Sequence, residues 1–399
     1  MDRRLRDNGR WERAGLFGAA VGPYPPAGVF AKEKSMRRNR LLCTVGGVAA
    51  LVLAAGAASD HGGAYRVTAL VSDGTPPAPN TDKNLVNGWG VAFNPMGFVW
   101  VADNGTGRST LYDGHGVPQQ LVVSIPAPGG GDGAPTGIVF SGGQDFVVSG
   151  NGVMAPARFI FSTEDGTIAA WAPQVDLTHA QIVPGTTSDA IYKGLALFSS
   201  SQGSRLYATD FHNNKVDVFD GAFARVMRPG AFVDPFLPPH YAPFGIQVID
   251  DRVIVTFAEQ DADAEDEVAG PGKGFVDAFS LDGHLLSRVA SRGDLNAPWG
   301  VAKAPDNFGR HGGELLIGNF GDGRILGFER EHHGHFFDQW HFKGALRSRH
   351  GQTIRIDGLW GMAFGNGLND QPRNTLFFAA GPDEESHGVY GRIDASDED

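Results

Sequence analysis

The chain has one cysteine in 399 residues, Cys43, and it lies at the front of an apolar stretch near the N-terminus. Everything after it is cysteine-free, so no disulfide can staple the fold, and stability must come from burial and from closure of secondary structure. Basic residues are also scarce: 33 Lys and Arg stand against 45 Asp and Glu, a net charge of −12. Nucleic acid and anionic membrane surfaces are therefore poor partners, which leaves cations, sugars, other small molecules and proteins. No Gly-x-Ser-x-Gly occurs, so the nucleophile elbow of a serine hydrolase is absent. What the chain has in quantity is Gly (57) and Pro (24), with only 20% charged and 10% aromatic residues. That composition suits many short strands joined by tight turns, and an all-β repeat protein of this length can be a single closed unit.

The longest apolar run follows Met36-Arg37-Arg38-Asn39-Arg40 and extends from Leu41 to Ser59. A basic start, an apolar middle and a small-residue exit make residues 36–58 read as a secretory signal cleaved near Ala57 or Ala58. The alternative is a membrane anchor, but the run is short and rich in Gly and Ala for a stable span. Residues 1–35 read as an extension ahead of the true start. Export would place the protein in the periplasm or outside the cell. Cys43 would leave with the signal, and the remaining 23 basic residues would face 41 acidic ones.

Ala64 to Asp73 alternates apolar and polar residues and reads as one strand with no partner beside it in sequence. After it a short signal recurs six times: a bulky or polar residue, Gly, then an apolar run, as in Trp89-Gly90-Val91-Ala92-Phe93 and Trp360-Gly361-Met362-Ala363-Phe364. The glycines are Gly90, Gly137, Gly194, Gly245, Gly300 and Gly361, spaced 47, 57, 51, 55 and 61 residues apart. Each unit predicts a small antiparallel sheet with two apolar faces, which is buried only against a neighbouring copy. Six such sheets around an axis make a β-propeller, with glycine where inner backbones approach closely. The sixth unit supplies three strands between Leu359 and Ile393, before the acidic tail 394–399. The orphan N-terminal strand is the one it lacks, so the prediction is a single six-bladed propeller over 64–393, closed by that strand.

The segment Leu206 to Asp220, with Asp210, Asn213-Asn214 and Lys215-Val216, resembles the NHL repeat, and Val99 to Asp113 and Leu315 to Phe328 share its outline. The chain as a whole resembles a family of exported bacterial NHL-like propellers of uncharacterised function. Units two, four and six depart from the repeat at Glu164-Asp165-Gly166, Phe257 to Gly274 and Gly381 to His387. In unit two, Phe159 to Trp171 suits either the middle or the outer hairpin.

In an antiparallel meander the start of the first strand and the end of the second share one face of the disc. Trp89, Thr136, Lys193, Phe244, Trp299 and Trp360, each just before its glycine, therefore converge at one mouth of the central channel, with Asp103, Asn104, Asp210 and Asn319 around the rim. The aromatic rings suit either wedge packing between blades or a mouth for a sugar, a ring compound or a cation. This face makes the chain a binding or interaction module for a small molecule, sugar or protein. The alternative is a metal-dependent hydrolase or lyase, because families that look like related six-bladed propellers, the gluconolactonase-like hydrolases among them, hold a divalent metal here. Where that resemblance implies Glu, Asn and Asp before the glycine, this chain has Trp, Phe, Lys and Thr. Oxygen ligands for a divalent cation such as Ca2+ would have to come from Asn87, Glu259, Asp261, Asp263, Asn296 or Asp357. The loop Glu259 to Glu267 lacks the glycine of an EF-hand and reads as a solvated acidic loop or a metal site. His332, His333, His335 and His341 match no zinc spacing and read as an exposed turn. Mass spectrometry of the exported protein should find a new N-terminus between Ala57 and Asp60, and an intact Met1 or Met36 species there would overturn the signal assignment.

Overall fold

The computed structural model describes residues 64–333 and 337–396; the expected signal 36–58, the extension 1–35 and residues 397–399 of the expected tail lie outside them. The described residues form six antiparallel sheets whose innermost strands are Gly88–Phe93, Pro135–Phe140, Tyr192–Ser200, Tyr241–Ile249, Pro298–Lys303 and Leu359–Phe364. In each blade the chain meanders outward from the innermost strand, so the expected six-bladed propeller is the fold observed. Among the described residues helix is limited to two single turns, Asn104–Thr106 and Gly309–His311. Among the described residues no helix is long and apolar enough to cross a membrane.

Middle strands such as Val99–Asp103 and Leu315–Asn319 are buried along their whole length, because both of their faces meet neighbouring blades. The outer strand Leu285–Ser291 is buried at Val289 alone. Each seam between blades carries its own apolar cluster; Val99, Val101 and Tyr112 of blade 1, for example, pack against Leu70, Val71, Phe377 and Tyr390 of blade 6. A further cluster, of Trp89, Phe211, Phe244, Trp299 and Trp360, occupies the axis.

Tyr65–Ser72 pairs antiparallel with Val389–Ala395 and completes blade 6, which removes the edge that the last strand would otherwise expose. The Tyr65 hydroxyl donates to the Phe308 carbonyl (2.9 Å) and accepts from the His311 amide (2.9 Å), which ties the closing strand to blade 5 as well. The last strand runs past the expected tail boundary. Asp394 stands in register with Arg66 and accepts from the Thr375 hydroxyl (2.8 Å), so it belongs to the sheet rather than to a tail.

In blade 2, Phe159–Thr163 pairs with the innermost strand and Ile168–Trp171 pairs beyond it, so this is the middle hairpin. The ambiguity arose from an inserted hairpin, Val147–Gly150 with Val153–Pro156, which forms a separate two-stranded sheet. Blade 3 has three strands, and an irregular segment from Gly221 to His240 runs where a fourth would lie.

The six glycines show how the ring is held. A Cβ built on Gly90 would come within 3.0 Å of the Thr136 carbonyl, on Gly194 of the Phe244 carbonyl, on Gly245 of the Trp299 carbonyl, on Gly300 of the Trp360 carbonyl and on Gly361 of the Trp89 carbonyl, while Gly137 would meet the Leu195 amide. Each inner strand thus lies against the backbone of the next, and the sixth lies against the first. Gly245→Ala should cost about 1–3 kcal/mol by overpacking this ring. Gly143→Ala, where a Cβ meets nothing closer than 3.8 Å, should stay within about 0.5 kcal/mol. Urea melts of the two variants check this, and equal midpoints would show that the inner ring tolerates a side chain.

Candidate functional site

The pairing register slips beside the recurring glycine in all six innermost strands, between Gly88 and Val91, Pro135 and Ile138, Tyr192 and Gly194, Pro243 and Ile246, Pro298 and Gly300, and Leu359 and Met362. Such irregularities re-aim a side chain. Here they fall at Trp89, Thr136, Lys193, Phe244, Trp299 and Trp360, and all six are buried.

The aromatic residues meet at the axis as a packed stack. Trp89 and Trp360 lie face to face at 3.5 Å, Trp299 meets both edge-on at 5.8 and 5.7 Å, Phe244 meets Trp360 at 5.8 Å, and Phe320 stacks on its ring at 4.0 Å. Two indoles are anchored: Trp360 Nε1 donates to Asn87 Oδ1 (3.1 Å) and Trp299 Nε1 donates to the Lys193 carbonyl (3.0 Å). Beyond them along the axis, a cavity of about 30 Å3 lined by Gly90, Gly137, Leu195, Gln247 and Met362 has room for a water or two. The rings therefore close the channel and form a floor rather than the walls of an open pocket.

Against this floor lies a polar network drawn from five blades. Lys193 is 1% exposed, and its ammonium sits 5.4 Å from the centre of the Trp89 ring. It donates to Glu164 Oε1 (2.5 Å) and Asp266 Oδ1 (2.9 Å). Glu164 Oε2 accepts from Asn104 (2.8 Å), Asn104 Oδ1 accepts from Asn87 (3.3 Å), and Asn87 also donates to Glu385 Oε2 (2.5 Å). Burial pushes the Lys193 ammonium down, but Glu164, Glu267 and Asp266 together outweigh it and hold the group above its ordinary range. Burial lifts Glu267 to about 8, against the pull of Lys193, and lifts Glu385 above the usual carboxylate range despite its bond from Asn87. Four carboxylates thus surround a single ammonium, and two of them keep their protons longer than a carboxylate in water would.

Of the rim residues expected from the sequence, Asn104 joins this network. Asp210 is sealed in blade 3, where it accepts from Asn213 and pairs with Lys215 at 3.3 Å. Asn319 does similar work in blade 5, donating to Asp322 (3.1 Å) and to the Asp294 carbonyl (2.9 Å). Asp103 is fully buried in the seam with blade 6.

Among the weaker metal candidates, only Asn87 reaches the mouth network. Glu259 accepts from Tyr241 and Lys273, both at 3.2 Å, Asp261 caps its own loop, and Asp263 is exposed. Asn296 accepts from the Gly270 amide (2.6 Å) and Asp357 from the Asp383 amide (3.0 Å). Among the described residues, no three His, Cys, Asp or Glu side chains are grouped to hold a metal. His341 meets Glu331 at 2.9 Å, and the expectation for His332, His333 and His335 falls outside the described side chains.

The residues that sequence reasoning missed are Glu164, Asp266, Glu267 and Glu385. A signal for them existed: they stand on the segments where units two, four and six depart from the repeat. A departure in three alternate blades at the same meander position places all three loops on one face.

No family model matches the chain. It is 30% identical over 390 residues to an uncharacterized protein of Acanthamoeba polyphaga mimivirus, covering 94% of this chain and 92% of the other. A second uncharacterized protein of that virus is 31% identical over 346 residues, covering 82% and 85%. Among solved structures, a streptogramin B lyase aligns with a TM-score of 0.47 at 11% identity, over 84% of this chain and 98% of that one. A gluconolactonase from Xanthomonas campestris aligns with a TM-score of 0.38 at 16% identity, over 72% and 89%. Nothing about activity follows from structural likenesses of this order.

Because Glu267 binds its proton more tightly folded than unfolded, its contribution favours the folded state at acid pH and fades as pH rises from about 4.5 toward about 8. Melting temperatures measured across that window should fall less steeply for Glu267→Gln than for the parent. Parallel profiles would show that Glu267 titrates normally.

Proposed function

Since the chain belongs to the family that contains these uncharacterized mimivirus proteins, its own residues must supply the functional reading, and we propose that it is an exported binding module for small organic cations. The observation that carries this reading is the excess of carboxylate at the mouth. Lys193 offers one positive charge to Glu164, Asp266, Glu267 and Glu385, which leaves Glu267 and Glu385 without a cation of their own. An ammonium or amino-sugar ligand entering beside Lys193 would pair with these carboxylates, draw the proton from Glu267, and be oriented by the amides of Asn87 and Asn104. The aromatic stack beneath excludes water from one side, which strengthens each of these contacts.

Export is supported by the tripartite pattern over residues 36–58 and by a cysteine-free chain after it, and NHL kinship by the Leu206 to Asp220 unit. A metal-dependent hydrolase or lyase on the same face has no specific observation in its favour, because the expected ligand positions carry Trp, Phe, Lys and Thr.

The test is isothermal titration against amines, amino sugars, neutral sugars, lactones and divalent metals, run near pH 8 and repeated in buffers of different ionisation enthalpy. An amine should bind with proton release, and Glu385→Gln should weaken it about tenfold or more while keeping the melting temperature within a few degrees. Binding confined to neutral sugars, lactones or metals would overturn the cation reading.

A further inference from the structure

A second polar cluster is buried in the seam where the N-terminal segment and blade 6 meet blade 1. Asp103 ends the strand Val99–Asp103, is fully buried, and neither of its carboxyl oxygens has a hydrogen-bond partner. Thr110, on the adjacent strand Arg108–Tyr112, pairs with Val101, so its hydroxyl lies on the same face as Asp103, one diagonal step away. That hydroxyl is also buried, faces the Asp103 carboxyl, and bonds no other element. Tyr112, two residues on, donates its hydroxyl to Asp82 Oδ2 (3.1 Å). Asp82 belongs to the segment that leads from the closing strand into blade 1, and its amide donates to the Ser72 carbonyl (2.9 Å). Across the seam Tyr390 stacks on Tyr112 at 5.1 Å, and its buried hydroxyl likewise has no partner.

Two carboxylates and three hydroxyls share the seam, and among the described residues no cationic group is bonded to Asp103. An ionised carboxylate buried in this way is strongly disfavoured unless a counter-charge or a proton meets it. We propose that the seam is a site for a hard cation of the Ca2+ class, ligated by Asp103 with Asp82 and the Thr110 hydroxyl, which joins the closing segment to blade 1. Oxygen ligands of this kind, completed by water or backbone carbonyls, are what such ions take. The site is separate from the mouth network, so its occupancy does not depend on the proposed ligand.

The experiment is metal analysis of protein purified without chelator, with thermal melts in EDTA and in calcium chloride. The expected result is close to one calcium per chain and a melting temperature several degrees higher in calcium. Asp103→Asn should abolish the calcium response, since the amide removes the charged ligand at nearly the same shape, and Thr110→Val should weaken it; Glu385→Gln should leave it intact. Absence of bound metal with superimposable melts would overturn the proposal and leave Asp103 as a neutral buried acid. A full calcium response in both Asp103→Asn and Thr110→Val would equally overturn it.

Discussion

The close approach of six backbones around one axis is the constraint on which the rest of the structure depends. At each inner glycine a side chain would strike the backbone of the next blade, and the sixth contact, Gly361 against the Trp89 carbonyl, returns to the first blade. Such contacts exist only when the ring is closed, which is why the N-terminal strand matters. Tyr65–Ser72 buries the last edge of blade 6 and is itself tied to blade 5 through the Tyr65 hydroxyl.

That approach also creates the site. Where the register slips beside the glycine, the preceding side chain is turned inward, and large rings placed there fill the axis. Lys193 occupies the same position in blade 3 and is buried with them, so its charge has to be met by carboxylates brought from elsewhere. Burial alone would expel or neutralise the ammonium; Glu164, Glu267 and Asp266 keep it charged, while burial makes Glu267 and Glu385 hold their protons more tightly than one shared ammonium can offset. The mouth is thus a consequence of a crowded axis combined with unusual loops in blades 2, 4 and 6.

The fold was legible because its signal is local and repeated. Six glycines before apolar runs, and an orphan strand matching a missing one, are patterns a chain displays in order. The aromatic convergence was legible for the same reason. The inserted hairpin Val147–Pro156 was not, since nothing in a short apolar run says which strand it will pair with. Asp103 and Asp210 illustrate the other failure. Both end a second strand at the expected height, but which way a side chain points at a strand end is settled by the local register, and both turn into their seams rather than toward the mouth.

Sequence alone determined the architecture, the closure and the six axial positions, because periodicity and the steric need for glycine act within each unit. Tertiary structure decided the rest. Whether tryptophans wall a pocket or plug an axis depends on how many of them meet and at what distance, and here the 3.5 Å stack of Trp89 on Trp360 fills the space. Which carboxylates surround Lys193 depends on loops from different blades, and no pattern along the chain encodes the distance between Glu164, Asp266 and Glu385. Coulomb energy and desolvation depend on that distance and on burial, and both come into existence only when the ring is closed.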